Sequence, residues 1–165
     1  MKIRKFIKRQ FRWALWATTS RCAILPSQMF HTIRPWCWRK LGAKIGKNVC
    51  IGYGFYLDVD HAKEIEIGDD TEFGPECFIL CHRRDISLYT RDMCCQDIPY
   101  IIAKIKIGRN VQCGARVMIM PGITIGDGAV IGAGSVVVKD IPAWAIAVGN
   151  PAKAIGYVKD SQSDV

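Results

Sequence analysis

The chain has 165 residues, half of them hydrophobic, which is enough for one domain with a substantial core and short appendages. Its formal net charge of +8 is concentrated at the N-terminus, because residues 1–44 carry 11 Lys and Arg and no acidic residue, whereas the remainder carries 12 basic and 15 acidic residues. No nucleic-acid recognition module accompanies this charge, so we expect no nucleic-acid partner.

Residues 1–19 are predicted to form an amphipathic helix within a basic, Trp-rich helical extension that covers residues 1–40. Two interpretations of this helix remain open. A basic face opposite an apolar one is typical of a helix that lies on a membrane surface, here the inner face. Alternatively, the helix packs against the body of the protein or a neighbouring subunit, with its basic face in solvent. The predicted apolar face contains Ile3, Phe6, Ile7, Phe11 and Ala14, and the basic face contains Lys5, Lys8, Arg9 and Arg12.

In the N-terminal region we expect neither a membrane span nor a signal peptide. The apolar run Trp13–Thr19 is well short of the roughly 20 residues that cross a bilayer. A second short helix is predicted around Trp36 and Trp38, with aromatic side chains that cap the first coil of the domain. The eight cysteines include no Cys-x-x-Cys pair, so we expect reduced thiols in a cytoplasmic protein rather than a disulfide framework or a metal centre.

From Ile45 onward the chain repeats with a period of six residues, most clearly from Ile107 to Val138. An aliphatic residue or cysteine opens each six, Gly usually follows it, and a small or β-branched residue comes fourth after the opener. This period fits neither an amphipathic helix nor a long strand, but it fits a short strand and a turn. Stacked coils bury the openers as a ladder, because each backbone pairs with the coils above and below it. The period slips at Leu57–Glu64 and stops at residues 83–104.

The repeat resembles that of the hexapeptide-repeat acyltransferases over residues 41–155. The resemblance implies an all-β fold, a left-handed parallel β-helix in which three sixes make one triangular coil. It also implies a homotrimer with active sites between subunits, and transfer of an acyl group from coenzyme A to a hydroxyl or amine. Residues 83–104 correspond to a loop that many members extrude beside the active site, and residues 156–165 form a polar C-terminal tail.

His82 is the candidate general base. A hydroxyl is a weak nucleophile and needs a base with a pKa of about 7, for which histidine is the natural choice. His82 lies where the repeat meets the loop, in a segment that resembles the His-x-x-Asp-x-Ser stretch around the catalytic histidine of the xenobiotic acetyltransferases. The resemblance implies that His82 deprotonates the acceptor. Asp85 either orients His82 or caps a turn.

Asp58 and Asp60 are the candidate acceptor-binding residues. They follow Phe55-Tyr56-Leu57, a stretch that resembles Phe-Tyr-Ala-Asn-Phe-Asn of the galactoside and maltose acetyltransferases, in which the first Asn contacts the acceptor sugar. Alternating residues of a strand share a face, so both carboxylates can point into one cleft and accept hydrogen bonds from sugar hydroxyls. The alternative is a pair of surface carboxylates in a turn.

The resemblance also assigns a groove for coenzyme A between subunits. By motif, Ala115 aligns with a residue whose amide holds the thioester oxygen, and Ala133 with one that contacts the pantetheine arm. Lys153 aligns with a basic residue near the adenosine phosphates, and Lys139 is a second candidate for that role.

The sequence therefore predicts an O-acetyltransferase that uses acetyl-CoA as co-substrate, with a sugar or glycan precursor as acceptor. The alternatives are a xenobiotic acetyltransferase and a non-catalytic trimeric scaffold. A γ-type carbonic anhydrase has the same kind of prism but needs three zinc-binding histidines at a subunit interface. His31, His61 and His82 show no such clustering in the sequence, so no metal is expected.

Overall fold

The computed structural model of the chain describes residues 2–21 and 31–160, and within the first range it describes the side chains of residues 6–17. The predictions for Ile3 and Lys5 as members of the two helix faces, and for residues 161–165 of the C-terminal tail, therefore lie outside what is described. Two α-helices, two 3-10 helices and sixteen strands make up the regular structure of the described ranges.

The strands are short and follow one another at the spacing of the repeat. The helices are α1 (Lys2–Arg21) and α2 (Ile33–Leu41), and the strands are β1 (Lys44–Ile45), β2 (Cys50–Ile51), β3 (Tyr56–Leu57), β4 (Ile65–Ile67), β5 (Glu72–Phe73), β6 (Phe78–Ile79), β7 (His82–Arg84), β8 (Tyr100–Ile102), β9 (Ile105–Ile107), β10 (Gln112–Cys113), β11 (Met118–Ile119), β12 (Thr124–Ile125), β13 (Val130–Ile131), β14 (Val136–Val137), β15 (Ala145–Gly149) and β16 (Ala152–Tyr157).

Three parallel sheets form the walls of a triangular prism. Their strand orders are β1-β4-β9-β12, β2-β5-β10-β13-β15 and β3-β6-β11-β14, and β16 joins the second sheet as the antiparallel partner of β15. Because consecutive strands enter the three sheets in rotation, the chain winds around the prism one six-residue unit per wall. This sheet architecture confirms the stacked coils predicted from the period and the parallel β-helix that the resemblance implies.

The core is the ladder of openers that the repeat predicts. Parallel pairs place like positions above one another, as in Ile67 with Ile107 and Cys113 with Ile131. The openers from Ile107 to Val137 are at most 2 % exposed, and the fourth positions after them are at most 6 % exposed. Cys77 and Cys113 therefore occupy their positions as small buried side chains of the prism and not for the reactivity of their thiols. Burial raises the pKa of both thiols, that of Cys77 to about 11. No disulfide links the cysteines in the described ranges.

Aromatic side chains close the N-terminal end of the prism, as predicted for this region. Trp38 of α2 is fully buried, and its ring lies 4.5 Å from that of Phe55, which in turn lies 5.2 Å from that of Phe73. Trp36 does not take part in this cap, since it is 53 % exposed. Gly42, in the left-handed conformation, ends α2 and turns the chain into β1.

Helix α1 packs against the prism, as the second interpretation of its sequence predicts, but the face that it buries is not the predicted apolar one. Its Trp16 is buried against the prism, and the Arg12 guanidinium donates hydrogen bonds to the carbonyls of Leu41 and Val59. The basic side is thus turned partly inward, because these half-buried carbonyls need donors. The predicted apolar residues Phe6, Ile7 and Phe11 are instead 60–69 % exposed. Neither α1 nor α2 combines the length and apolar character that crossing a bilayer requires.

The two interruptions of the period have distinct structures. In the slip, the 3-10 helix Ala62–Glu64 takes up the extra residues before β4. The longer interruption leaves the prism as the antiparallel pair β7 and β8, with the 3-10 helix Ile86–Leu88 between them. The Arg84 guanidinium donates to the carbonyls of Gln96 and Ile98 at 2.9 and 2.5 Å, which ties the loop to its own root.

Candidate active site

The coil geometry brings Asp58 under the root of the loop. Strands β3 and β6 pair in register, Leu57 with Ile79, so the residues that follow each strand meet at the same corner of the prism. The Asp58 carboxylate points into this corner, where its side chain is only 3 % exposed. The Cys81 amide donates to Asp58 Oδ2 at 3.2 Å, which fixes one oxygen of the carboxylate.

Two histidines share this carboxylate. His82 Nδ1 lies 2.5 Å from Asp58 Oδ2, and His61 Nδ1 lies 3.0 Å from Asp58 Oδ1. The two imidazole rings are 5.0 Å apart, centroid to centroid, and their side chains are 33 % and 27 % exposed. A buried carboxylate thus holds two imidazoles that remain accessible from solvent.

The electrostatics of the cluster favour an ionised Asp58. Burial acts to raise the pKa of Asp58, but the hydrogen bonds from His82 and His61 outweigh it, so the pKa lies below its ordinary value. An ionised carboxylate only accepts hydrogen bonds, so each histidine must donate through Nδ1–H. In a neutral imidazole this tautomer leaves Nε2 with a free lone pair, which is the form that a general base needs.

Aromatic side chains border His82 on the side of the loop. The Tyr100 ring, carried by β8, meets the His82 ring edge-on at 5.4 Å, and the Arg84 guanidinium lies 4.2 Å above the Tyr100 ring. On the wall below, Tyr56 stacks on Phe78 at 5.8 Å. The loop therefore borders His82 on one side with Tyr100, which is 56 % exposed there and had no role assigned from the sequence.

The carboxylate that contacts His82 is that of Asp58 and not that of Asp85. Asp85 Oδ1 accepts hydrogen bonds from the Ser87 amide and hydroxyl at 3.2 and 2.6 Å, so Asp85 caps the turn that begins the 3-10 helix of the loop. Asp60 makes no hydrogen bond to either histidine among the described residues, and its carboxylate pairs with Arg9 of α1 at 3.1 Å. The binding of an acceptor by Asp58 and Asp60 stays a prediction.

His61 is a member of the site that the sequence pattern did not indicate. The three histidines are dispersed in the sequence, whereas His61 and His82 lie on the same carboxylate in the structure. The only available signal was the spacing of Asp58 and His61, three residues apart in the slip of the repeat. His31 lies at the start of the second described range and takes no part in the cluster.

The residues expected at coenzyme A occupy one corner of the prism and its C-terminal end. Ala115 and Ala133 follow β10 and β13, which pair in register, so their turns stack in a single corner. Neither alanine donates its backbone amide to another residue in the described ranges. Lys139 and Lys153 are exposed, Lys153 on β16 opposite Val148. Beside this corner, an open groove of about 540 Å³ lies along Tyr53, Gly54, Glu76, Phe78, Arg116 and Met118.

Comparison with known proteins decides the family. Residues 104–139 match the model of the bacterial transferase hexapeptide (six repeats). Galactoside O-acetyltransferase of Escherichia coli K12 is 33% identical over 142 residues, covering 82% of this chain and 68% of that protein. The chain belongs to the hexapeptide-repeat acetyltransferases. Membership implies the left-handed winding that the resemblance predicted for the prism.

Solved structures of this family agree with the fold. A maltose O-acetyltransferase from Clostridium difficile 630 is 29% identical, with a TM-score of 0.59 over 92% of this chain and 87% of that chain. The hexapeptide-repeat acetyltransferase VCA0836 of Vibrio cholerae, solved in complex with acetyl coenzyme A, has a TM-score of 0.60 over 81% of this chain and 84% of that chain. At 23% identity the second similarity concerns the fold alone.

Proposed function

We propose that this acetyltransferase moves an acetyl group from acetyl-CoA to a hydroxyl of a sugar or glycan precursor, with His82 as the general base. The observation that carries the proposal is the contact of 2.5 Å between His82 Nδ1 and the buried Asp58 carboxylate. This contact holds the ring in one tautomer and neutralises the imidazolium that forms during the reaction, as a base–carboxylate pair must.

The reaction follows from these positions. His82 Nε2 removes the proton of the acceptor hydroxyl as its oxygen attacks the thioester carbonyl. The carbonyl becomes a tetrahedral oxyanion, which the Ala115 amide stabilises. Collapse of this intermediate breaks the C–S bond, and the coenzyme A thiolate takes the proton from the His82 imidazolium. Asp58 acts only through His82 and is a positioning residue.

The arrangement of the prism favours an active site shared between two subunits of a homotrimer. Ala115 lies at the corner before the wall that contains β11, whereas His82 lies beyond the far edge of that wall. An extended chain advances about 3.3 Å per residue, so the two corners are roughly 10–15 Å apart. A hydrogen bond spans about 3 Å, so Ala115 and His82 of one subunit cannot serve one thioester. We propose that Ala115 of one subunit acts with His82 of its neighbour.

Coenzyme A would then run along the corner of Ala115 and Ala133. Their amides are available to the thioester oxygen and the pantetheine arm, and Lys139 and Lys153 supply cations for the phosphates. Calorimetric titration with acetyl-CoA tests this part without knowledge of the acceptor. We expect binding that weakens about tenfold in Lys153→Ala. A folded trimer that binds no acetyl-CoA would favour the scaffold alternative.

The acceptor is proposed to be a sugar hydroxyl because two relatives act on galactosides and maltose by name. His82 is bordered by the Tyr100 ring and, above that ring, the Arg84 guanidinium, an aromatic face and a donor suited to a sugar. Thiol release from acetyl-CoA with galactosides, maltose and chloramphenicol as acceptors separates this proposal from the xenobiotic alternative. Release with chloramphenicol alone would refute the sugar assignment.

We also propose that α1 binds the inner membrane surface peripherally. Phe6, Ile7 and Phe11 are exposed on a segment that carries 11 basic residues and no acid up to residue 44, which fits an anionic lipid surface. Deleting the helix would remove buried Trp16 as well, so the sharper variant is Phe6→Ser/Phe11→Ser. We expect this double variant no longer to sediment with phosphatidylglycerol vesicles. The control Ile155→Ser changes an equally exposed residue of β16 and should still sediment with the vesicles. Equal sedimentation of both variants would refute the proposal.

A further inference from the structure

The cluster of Asp58, His61 and His82 has one more histidine than a base–carboxylate pair requires. Within the described residues it is the group of side chains whose donor atoms could surround a metal ion, since these atoms all lie within 4.8 Å of one another. The base mechanism uses His82 and Asp58, and it leaves His61 without a task.

The donor set fits a transition-metal ion such as Zn²⁺. Two imidazole nitrogens and one carboxylate oxygen form a three-ligand zinc site of the kind that keeps a fourth position for water. Zinc binds such donors at about 2.0–2.2 Å, which places tetrahedral ligands about 3.3 Å apart. The donor atoms that lie farthest apart therefore need to approach by at most about 1.5 Å, and His82 Nδ1 and Asp58 Oδ2, now 2.5 Å apart, need to separate by about 0.8 Å. The imidazole side chains, 27 % and 33 % exposed, give an ion access from solvent.

The hydrogen bonds of the cluster predict how a bound ion changes the position of the proton on the His82 ring. Both histidines now use Nδ1 toward the carboxylate, and a metal ion between the three groups must replace those protons with its own bonds. A neutral imidazole that binds metal through Nδ1 carries its single proton on Nε2. His82 then has no lone pair on Nε2 to accept the hydroxyl proton.

We propose that Asp58, His61 and His82 bind one Zn²⁺-like ion per subunit, and that the bound ion inhibits acetyl transfer by fixing the His82 proton on Nε2. The ion site stands on the geometry of the three residues, and the inhibition rests on the proposed function. His61 is the residue that makes this chain sensitive to the metal, because Asp58 and His82 alone offer only two ligands.

The binding test uses zinc chloride titrated calorimetrically into the full-length protein. Exposed Cys94 and Cys95 of the loop can bind zinc themselves, so the parent for all titrations carries Cys94→Ser/Cys95→Ser. We expect one ion per subunit, with affinity at least about tenfold weaker in His61→Gln. The matched control is His31→Gln, which removes a histidine outside the cluster and should leave the titration unchanged. Equal zinc affinity in His61→Gln and the parent would overturn the ion site.

The inhibition test follows thiol release from acetyl-CoA at increasing zinc. The parent should lose activity with the same midpoint as calorimetric binding and regain it with EDTA, and His61→Gln should require about tenfold more zinc. Full activity of the zinc-saturated parent would overturn the inhibition. An absence of acetyl transfer to any acceptor would count against the proposed function, whereas the calorimetry would still decide whether the ion binds.

Discussion

Replacement of Asp58 by Asn is the perturbation that separates a positioning carboxylate from an acceptor-binding one. The substitution keeps the shape of the side chain but removes the charge that two Nδ1–H groups share at 2.5 and 3.0 Å. A hydrogen bond to a charged group contributes about 1.5–3 kcal/mol, and each 1.36 kcal/mol corresponds to a tenfold change in rate. If the imidazolium loses this stabilisation, kcat should fall roughly 10- to 150-fold.

The assay is thiol release from acetyl-CoA with the best acceptor of the panel, analysed for kcat and KM separately. We expect Asp58→Asn to lower kcat while the KM for acetyl-CoA stays within about threefold, since the hydrogen bonds of the Asp58 carboxylate among the described residues go to His82, His61 and Cys81. Asp85→Asn is the matched control, because it makes the same change at a carboxylate held by Ser87. Equal losses of kcat in both variants, or an unchanged kcat in Asp58→Asn, would refute the reasoning.

Three further predictions concern the fold, each measured as the midpoint of thermal or denaturant unfolding. Gly114→Ala should lower the free energy of unfolding by about 3 kcal/mol, because the new Cβ would lie 2.6 Å from the Ala133 nitrogen. Gly134→Ala should lower it by only about 1–2 kcal/mol, because Gly134 has φ 70° but open space around it. A larger loss in Gly134→Ala than in Gly114→Ala would contradict the stacking of the corners. Phe55→Ala should cost about 3–5 kcal/mol because its ring joins the N-terminal cap to the core, and a loss below about 1 kcal/mol would count against this cap. Arg12→Met should cost roughly 1–3 kcal/mol by leaving two carbonyls without their donor, and an unchanged midpoint would show that α1 is not held by Arg12.

The prism could be predicted from the sequence because its period is local. Each six-residue unit carries its own buried opener and its own turn, and stacking repeats the same contact, as the pairing of Ile67 with Ile107 shows. The burial of Ser135, a polar residue at a fourth position, follows the same rule, since its hydroxyl accepts a hydrogen bond from the Gly149 amide. Position in the period decided burial here more strongly than polarity did.

The candidate site could be predicted only in part, because it forms where the period fails. The root of the loop identified His82, but its partner lies 24 residues earlier at the end of another coil. The sequence does not distinguish the three carboxylates of Asp58, Asp60 and Asp85. Only the folded structure of residues 57–64 and of the loop shows that Asp58 is the one that contacts His82. The face of α1 that packs against the prism could not be predicted from the sequence pattern either. Arg12 donates hydrogen bonds to carbonyls of the prism and of α2, and a helical projection does not show these acceptors.

The most direct test of the account is the comparison of His82→Gln with the wild type in acetyl-CoA binding and in acetyl transfer. In the shared site, His82 acts on the acceptor hydroxyl and holds neither the pantetheine arm nor the phosphates, so we expect the affinity for acetyl-CoA to stay within about threefold. Loss of a general base should lower kcat/KM for the acceptor by roughly 10²- to 10⁴-fold. Near wild-type transfer by His82→Gln would contradict the central claim that the histidine on the Asp58 carboxylate is the base.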